Sequence, residues 1–120
     1  MAPPAANYAH AILSEGTNRW LHTSGVVPIG HDLTVPESIF DQALVVWENI
    51  TALLAEAAMT VHDIVSVTTY VIVTEIASLP EVMEARDKAL AGHIAASTLV
   101  TVPALTRPAW KMEIAVIACR

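Results

Sequence analysis

The sequence holds one cysteine, Cys119, so neither an internal disulfide framework nor a thiolate metal cluster can form within a single chain. Set in a C-terminal apolar run, that thiol reads as a buried structural side chain rather than a nucleophile. Basic residues are also scarce. Six Lys and Arg stand against twelve Asp and Glu, a formal charge of −6, and no basic stripe with interleaved aromatics occurs. Such a chain repels a phosphate backbone, which argues against nucleic acid as a partner. Long hydrophobic runs are missing too: Ile64 to Val73 and Ile114 to Cys119 fall short of the roughly 18 residues a spanning helix needs, so no membrane partner is expected. No basic residue precedes an apolar run in Met1 to Ala6, so no targeting signal is read there and a cytoplasmic location is expected. The five histidines are scattered without the pattern, an i, i+4 pair with carboxylates beside it, that a helix-borne metal site would show; no metal site and no cofactor are expected.

What is present is apolar surface. With 120 residues, 54% of them hydrophobic and 15% charged, the chain is expected to form one domain over residues 1–120. The surplus hydrophobic area points to burial between subunits.

Tyr8 to Leu13 and Arg19 to Val27, separated by the turn formers Ser14-Glu15-Gly16-Thr17-Asn18, read as a β-hairpin. Thr34-Val35-Pro36-Glu37 fits a capping box, so a helix is expected to start there, with Ile39, Ala43, Leu44, Trp47, Ile50, Leu54 and Ala57 on its buried face. Asp63 to Val73 is dense in β-branched residues, as in a central strand covered on both faces. Ser78-Leu79-Pro80-Glu81 opens a second helix, ending near Ala91-Gly92 and carrying Arg86 on its stripe. Two strands follow, Ser97 to Leu105 and Trp110 to Cys119. The order β-β-α-β-α-β-β predicts an α+β fold: a mixed sheet with two helices packed on one face, its other face free to form an oligomer interface.

Several segments in order resemble the RidA (YjgF) family: His22-Thr23-Ser24-Gly25-Val26-Val27-Pro28, the helix carrying Gln42 and Asn49, Asp63-Ile64-Val65, and Lys111-Met112-Glu113-Ile114. The resemblance covers essentially the whole chain. It implies a chorismate-mutase-like fold, a homotrimer, and small-molecule clefts between subunits where imines or enamines are hydrolysed to ketoacids and ammonia. It places Glu113 on the family's water-handling glutamate, Ser24 with Gly25 on the ligand-contacting strand end, and Tyr8 near an N-terminal tyrosine. It also implies a departure. Ser97 falls on the arginine that clamps the substrate carboxylate, Leu99 on a neighbouring cysteine, and Met83 on a helix asparagine; a hydroxyl supplies neither the charge nor the paired donors of a guanidinium.

Bland readings stand beside these. Glu113 is alternatively a strand carboxylate satisfied by a backbone N–H or by Lys111, and Ser24 simple turn chemistry. Arg86 and Arg107 are candidates to replace the missing cation, or else surface arginines, Arg86 paired with Glu84 or Asp87. The reading favoured is a small-molecule hydrolase or deaminase of RidA type. The alternatives are a trimeric binding protein without turnover and a ribonuclease, the last disfavoured by charge.

Overall fold

The computed structural model describes residues 1–120. Helix α1 spans Ile39–Glu56 and is capped by Ser38, whose hydroxyl accepts the Asp41 N–H at 3.1 Å. The start expected at Thr34 is corrected by this: the Thr34 hydroxyl and N–H both turn back to Asp32 Oδ1, at 2.7 and 3.1 Å, closing a loop instead of a helix. Helix α2, Leu79–Leu90, begins where predicted, with proline in its first turn, although Ser78 makes no side-chain cap. Its last turn closes on Ala91, held at φ 49°, followed by Gly92 at φ 88°.

Four strands form one mixed sheet: β1 Trp20–His22, β2 Ile64–Ile72, β3 Ala96–Val102 and β4 Met112–Cys119, in the order β1-β4-β2-β3. Only β2 and β3 run parallel, the pair that α2 connects. The expected hairpin does not form. Tyr8 to Leu13 makes a single parallel bridge, Ala9 to Ala96, at the β3 edge, while β1 pairs with β4 at the opposite edge. The turn formers at 14–18 permit a reversal, but the pairing that seats Leu21 against the core is with Ala118 of β4.

Alternation along the strands sorts the two faces of the sheet. Val67, Thr69 and Val71 of β2 lie opposite Val116, Ile114 and Met112 of β4, and all are buried. They meet Ile50 and Leu54 of α1 and Val82 and Ala85 of α2 in one core, each fully buried aliphatic side chain contributing roughly 2 kcal/mol. The other face carries Ser66, Thr68 and Tyr70 on β2, Glu113, Ala115 and Ile117 on β4, and Val100 on β3, and no helix packs on it. Val100 is 40% and Trp20 50% exposed there. No helix of the chain is long and apolar enough to cross a membrane.

Candidate functional site

Between β1 and the next bridge the chain carries a bulge. Thr23 pairs with Val116, its N–H to the Val116 carbonyl and its hydroxyl accepting the Val116 N–H, both at 3.0 Å. Val26 pairs with Ile114 at 2.7 and 3.1 Å, so Ser24 and Gly25 together oppose Ala115 alone. The bulge brings the Gly25 backbone onto the next outward side chain of β4, which is Glu113. A Cβ on Gly25 would fall 1.7 Å from Glu113 Oε2, so only glycine allows the carboxylate to lie where it does.

Glu113 faces the bare side of the sheet, cross-strand from Tyr70. With Gly25, Val102, Ala104, Leu105 and Ala115 these two residues line a shallow cleft of about 270 Å³. The wall is mostly apolar. No hydrogen bond or ion pair within the chain engages the Glu113 carboxylate: the ion pairs are Arg86 with Asp87 and Lys111 with Glu75, the latter at 3.2 Å. Lys111, the partner offered by the bland reading of Glu113, is therefore committed elsewhere.

Two buried or half-buried amides on α1 hold the walls. Gln42, fully buried, donates to the carbonyls of Pro36 and Ala109 at 2.8 and 2.9 Å and accepts the Lys111 N–H at 2.9 Å. It thereby fixes the loop that delivers β4 and Glu113. Asn49 donates to the carbonyls of Ile29 at 2.9 Å and Val27 at 3.3 Å, fixing the chain just beyond the Ser24-Gly25 bulge. Both amides satisfy loop backbone that would otherwise lie against an apolar helix without partners.

The other predicted site residues lie elsewhere. Ser97 and Arg86 meet each other, but on the helix-covered side of the sheet: Arg86 Nη1 donates to Ser97 Oγ at 3.5 Å, and Ser97 lies level with buried Val67. Arg86 is 6% exposed, and its Nε donates to Asp87 Oδ1 at 3.1 Å. Its Nη2 is 3.0 Å from the same oxygen yet too poorly aligned to form a hydrogen bond, so Nε carries the pair. Leu99 likewise packs toward the core. Strand alternation puts Ala96 and Thr98, not Ser97, on the side of Glu113, and neither carries charge. Tyr8 stands at the β3 edge, edge-on to His10 at 5.9 Å, outside the cleft lining. Arg107 is exposed in the β3–β4 loop, its guanidinium 5.7 Å from the Trp110 ring centroid. Tyr70, Val102 and Leu105 were not singled out from sequence; Tyr70 becomes visible only once the register sets it opposite Glu113.

Two further hollows lack a comparable group. In one, of about 240 Å³, Asp87 is already held by Arg86 and by Asn7 at 3.0 Å. The other, about 580 Å³ between the 29–33 loop and α1, has as its one acid Glu48, exposed to solvent.

Comparison with known proteins agrees with this architecture. No curated protein matches the sequence. Among solved structures, the protein of unknown function YyfB of the conserved Rid family from Yersinia pestis is 25% identical, with a TM-score of 0.87 over 100% of this chain and 96% of its own. Yeast Mmf1 is 27% identical, with a TM-score of 0.77 over 98% of this chain and 90% of its own. The fold is also that of Escherichia coli TdcF, determined with bound serine, at 24% identity and a TM-score of 0.78 over 98% of this chain and 91% of that one. The family model described as Endoribonuclease L-PSP matches residues 1–120. With that match over its full length and Rid proteins as its structural neighbours, the chain belongs to the endoribonuclease L-PSP family, that of the RidA/YjgF proteins.

Proposed function

We propose that the protein is a small-molecule hydrolase or deaminase of RidA type, acting on an imine, enamine or related electrophile. The observation that carries this reading is the Glu113 carboxylate, unpaired within the chain and laid against the Gly25 backbone in a mostly apolar cleft. A carboxylate so placed accepts a proton from water as the water attacks a C=N carbon, and returns it to the departing nitrogen. The Ser24-Gly25 bulge orients the ligand beside it, with no cofactor. The working form is a cytoplasmic homotrimer in which copies cover the bare sheet face and complete the clefts at their seams; Val100 and Trp20, exposed on that face, support this.

The test mixes purified protein with freshly generated imines and follows carbonyl release against the uncatalysed rate, with Glu113→Ala as control. Release above background in wild type and at background in the variant is expected. Equal background rates for both would reject the reading. A second reading, a binding protein without turnover, draws support from the absence of any cation among the cleft residues of this chain. Ribonuclease activity is disfavoured by the net charge of −6.

A further inference from the structure

The unpaired state of the Glu113 carboxylate needs a cause, because a lysine stands two residues before it on the same face of the sheet. Lys111 and Glu113 flank Met112, which is fully buried, so alternation turns both toward the bare side. Two residues along a strand span about 7 Å, a gap that the four-carbon stem of a lysine crosses. The Lys111 backbone is held in place: its N–H donates to Gln42 Oε1 at 2.9 Å, and its carbonyl accepts the Ile72 N–H at 3.0 Å. The second of these bonds also fixes what lies on the far side of the lysine. β2 ends at Ile72, the short turn Val73–Ser78 follows, and Glu75 stands at the kink of that turn. There Glu75 Oε1 takes the Lys111 Nζ at 3.2 Å, both side chains being half-buried. Lys111 thus lies between two carboxylates and pairs with Glu75, the one outside the cleft lining. The other titratable or charged groups about Glu113 within the chain are the Tyr70 phenol of β2, across from it, and His22 of β1, opposite Ile117. β3 and the chain from 23 to 27 carry none, and Arg107 lies over Trp110.

We infer that Glu75 is a positioning residue for the cleft: by holding the Lys111 ammonium it keeps the Glu113 carboxylate unpaired. This rests on the role of Glu113 proposed above. An ammonium against a carboxylate favours the ionised form, which makes that carboxylate a weaker proton acceptor, and it occupies the oxygens that water must reach. Freed from Glu75, the Lys111 ammonium has Glu113 as the next carboxylate along its own strand face. A partly exposed ion pair adds little stability, so what the Glu75–Lys111 pair contributes is the choice of carboxylate it leaves open.

The test reads Glu113 directly and without substrate, by NMR titration of its side-chain carboxyl carbon in isotope-labelled full-length protein, the resonance being the one that Glu113→Gln removes. Glu75→Ala is expected to lower the Glu113 midpoint by about one pH unit, and Glu75→Ala combined with Lys111→Met to return it to the wild-type value. Lys111→Met alone is expected to leave it within about 0.3 pH unit, since the ammonium it removes is already held away. A cation brought by a second copy is common to all these variants, so the differences among them report Lys111. In imine hydrolysis the acid limb of the pH–rate profile of Glu75→Ala moves down with that midpoint, and kcat falls about threefold or more, while thermal melting stays close to wild type. A merely structural ion pair would lower the melting temperature of every variant and move no midpoint. An unchanged midpoint in Glu75→Ala, a double variant that keeps the lowered one, or a rise of about one pH unit in Lys111→Met alone overturns the inference. Absence of imine hydrolysis in wild type removes the hydrolase reading, and the titration still decides the role of Glu75.

Discussion

Glu113 Oε2 fills the volume in which a side chain on Gly25 would begin, 1.7 Å from the position of an added Cβ. The clash involves the far end of a flexible side chain, so Gly25→Ala is expected to fold with little change in melting temperature. The carboxylate must instead swing away. Displacement of a reacting group by about 1 Å costs roughly 100-fold, the loss in kcat/KM expected for imine hydrolysis. An alanine variant with wild-type turnover would mean that the Glu113 position is immaterial.

Gln42 satisfies three backbone groups from a fully buried position. Replacing it by Met keeps the volume and leaves two carbonyls and one N–H without partners. The expected cost is about 2–4 kcal/mol in urea unfolding, with the 103–111 loop loosened and exchanging amide hydrogens faster. A loss under about 0.5 kcal/mol would show that water replaces the amide without penalty.

Ala91 ends α2 at φ 49° and ψ 46°, a region where a Cβ is unfavourable. Ala91→Gly removes that strain while adding chain entropy to the unfolded state. The balance is expected to stabilise the protein by about 0.5 kcal/mol, read as a higher urea midpoint at unchanged slope. A lower midpoint would contradict this.

The Thr34 hydroxyl, and after it the Thr34 N–H, holds the Asp32 carboxyl below its ordinary value of 3.8. A carboxylate whose folded value is depressed contributes stability above the ordinary value, and that contribution is lost as pH falls through the lower folded one. The 30–34 loop is therefore expected to loosen only in strong acid. Thr34→Val removes the larger cause, so an NMR titration of Asp32 should move back up toward the ordinary value; an unchanged midpoint would assign the effect to the backbone alone.

Face and period were legible where one residue type repeats. The α1 stripe, with Trp47, Ile50 and Leu54, is buried as read, and Asp63 to Val73 contains a central strand, because its β-branched run suits a site flanked on both sides. Local signals with two meanings were less legible. Thr34 has the residues of a capping box, yet Asp32 lies two residues away and captures its hydroxyl, while Ser38 is nearer the first helical turn. The Gly25–Glu113 approach joins residues 88 positions apart and depends on one extra residue in a bulge, which no local pattern reports.

The sequence by itself determined the α+β class, the two helices and the scarcity of positive charge, because these follow from composition and short-range periodicity. Tertiary structure alone decided that residues 8–13 leave β1 for the far edge of the sheet, that Arg86 and Ser97 meet behind it, and that Tyr70 faces Glu113. Those outcomes depend on strand register and on which face each side chain takes. A shift of one residue exchanges the two faces, and only the packing of the whole sheet against its helices sets it.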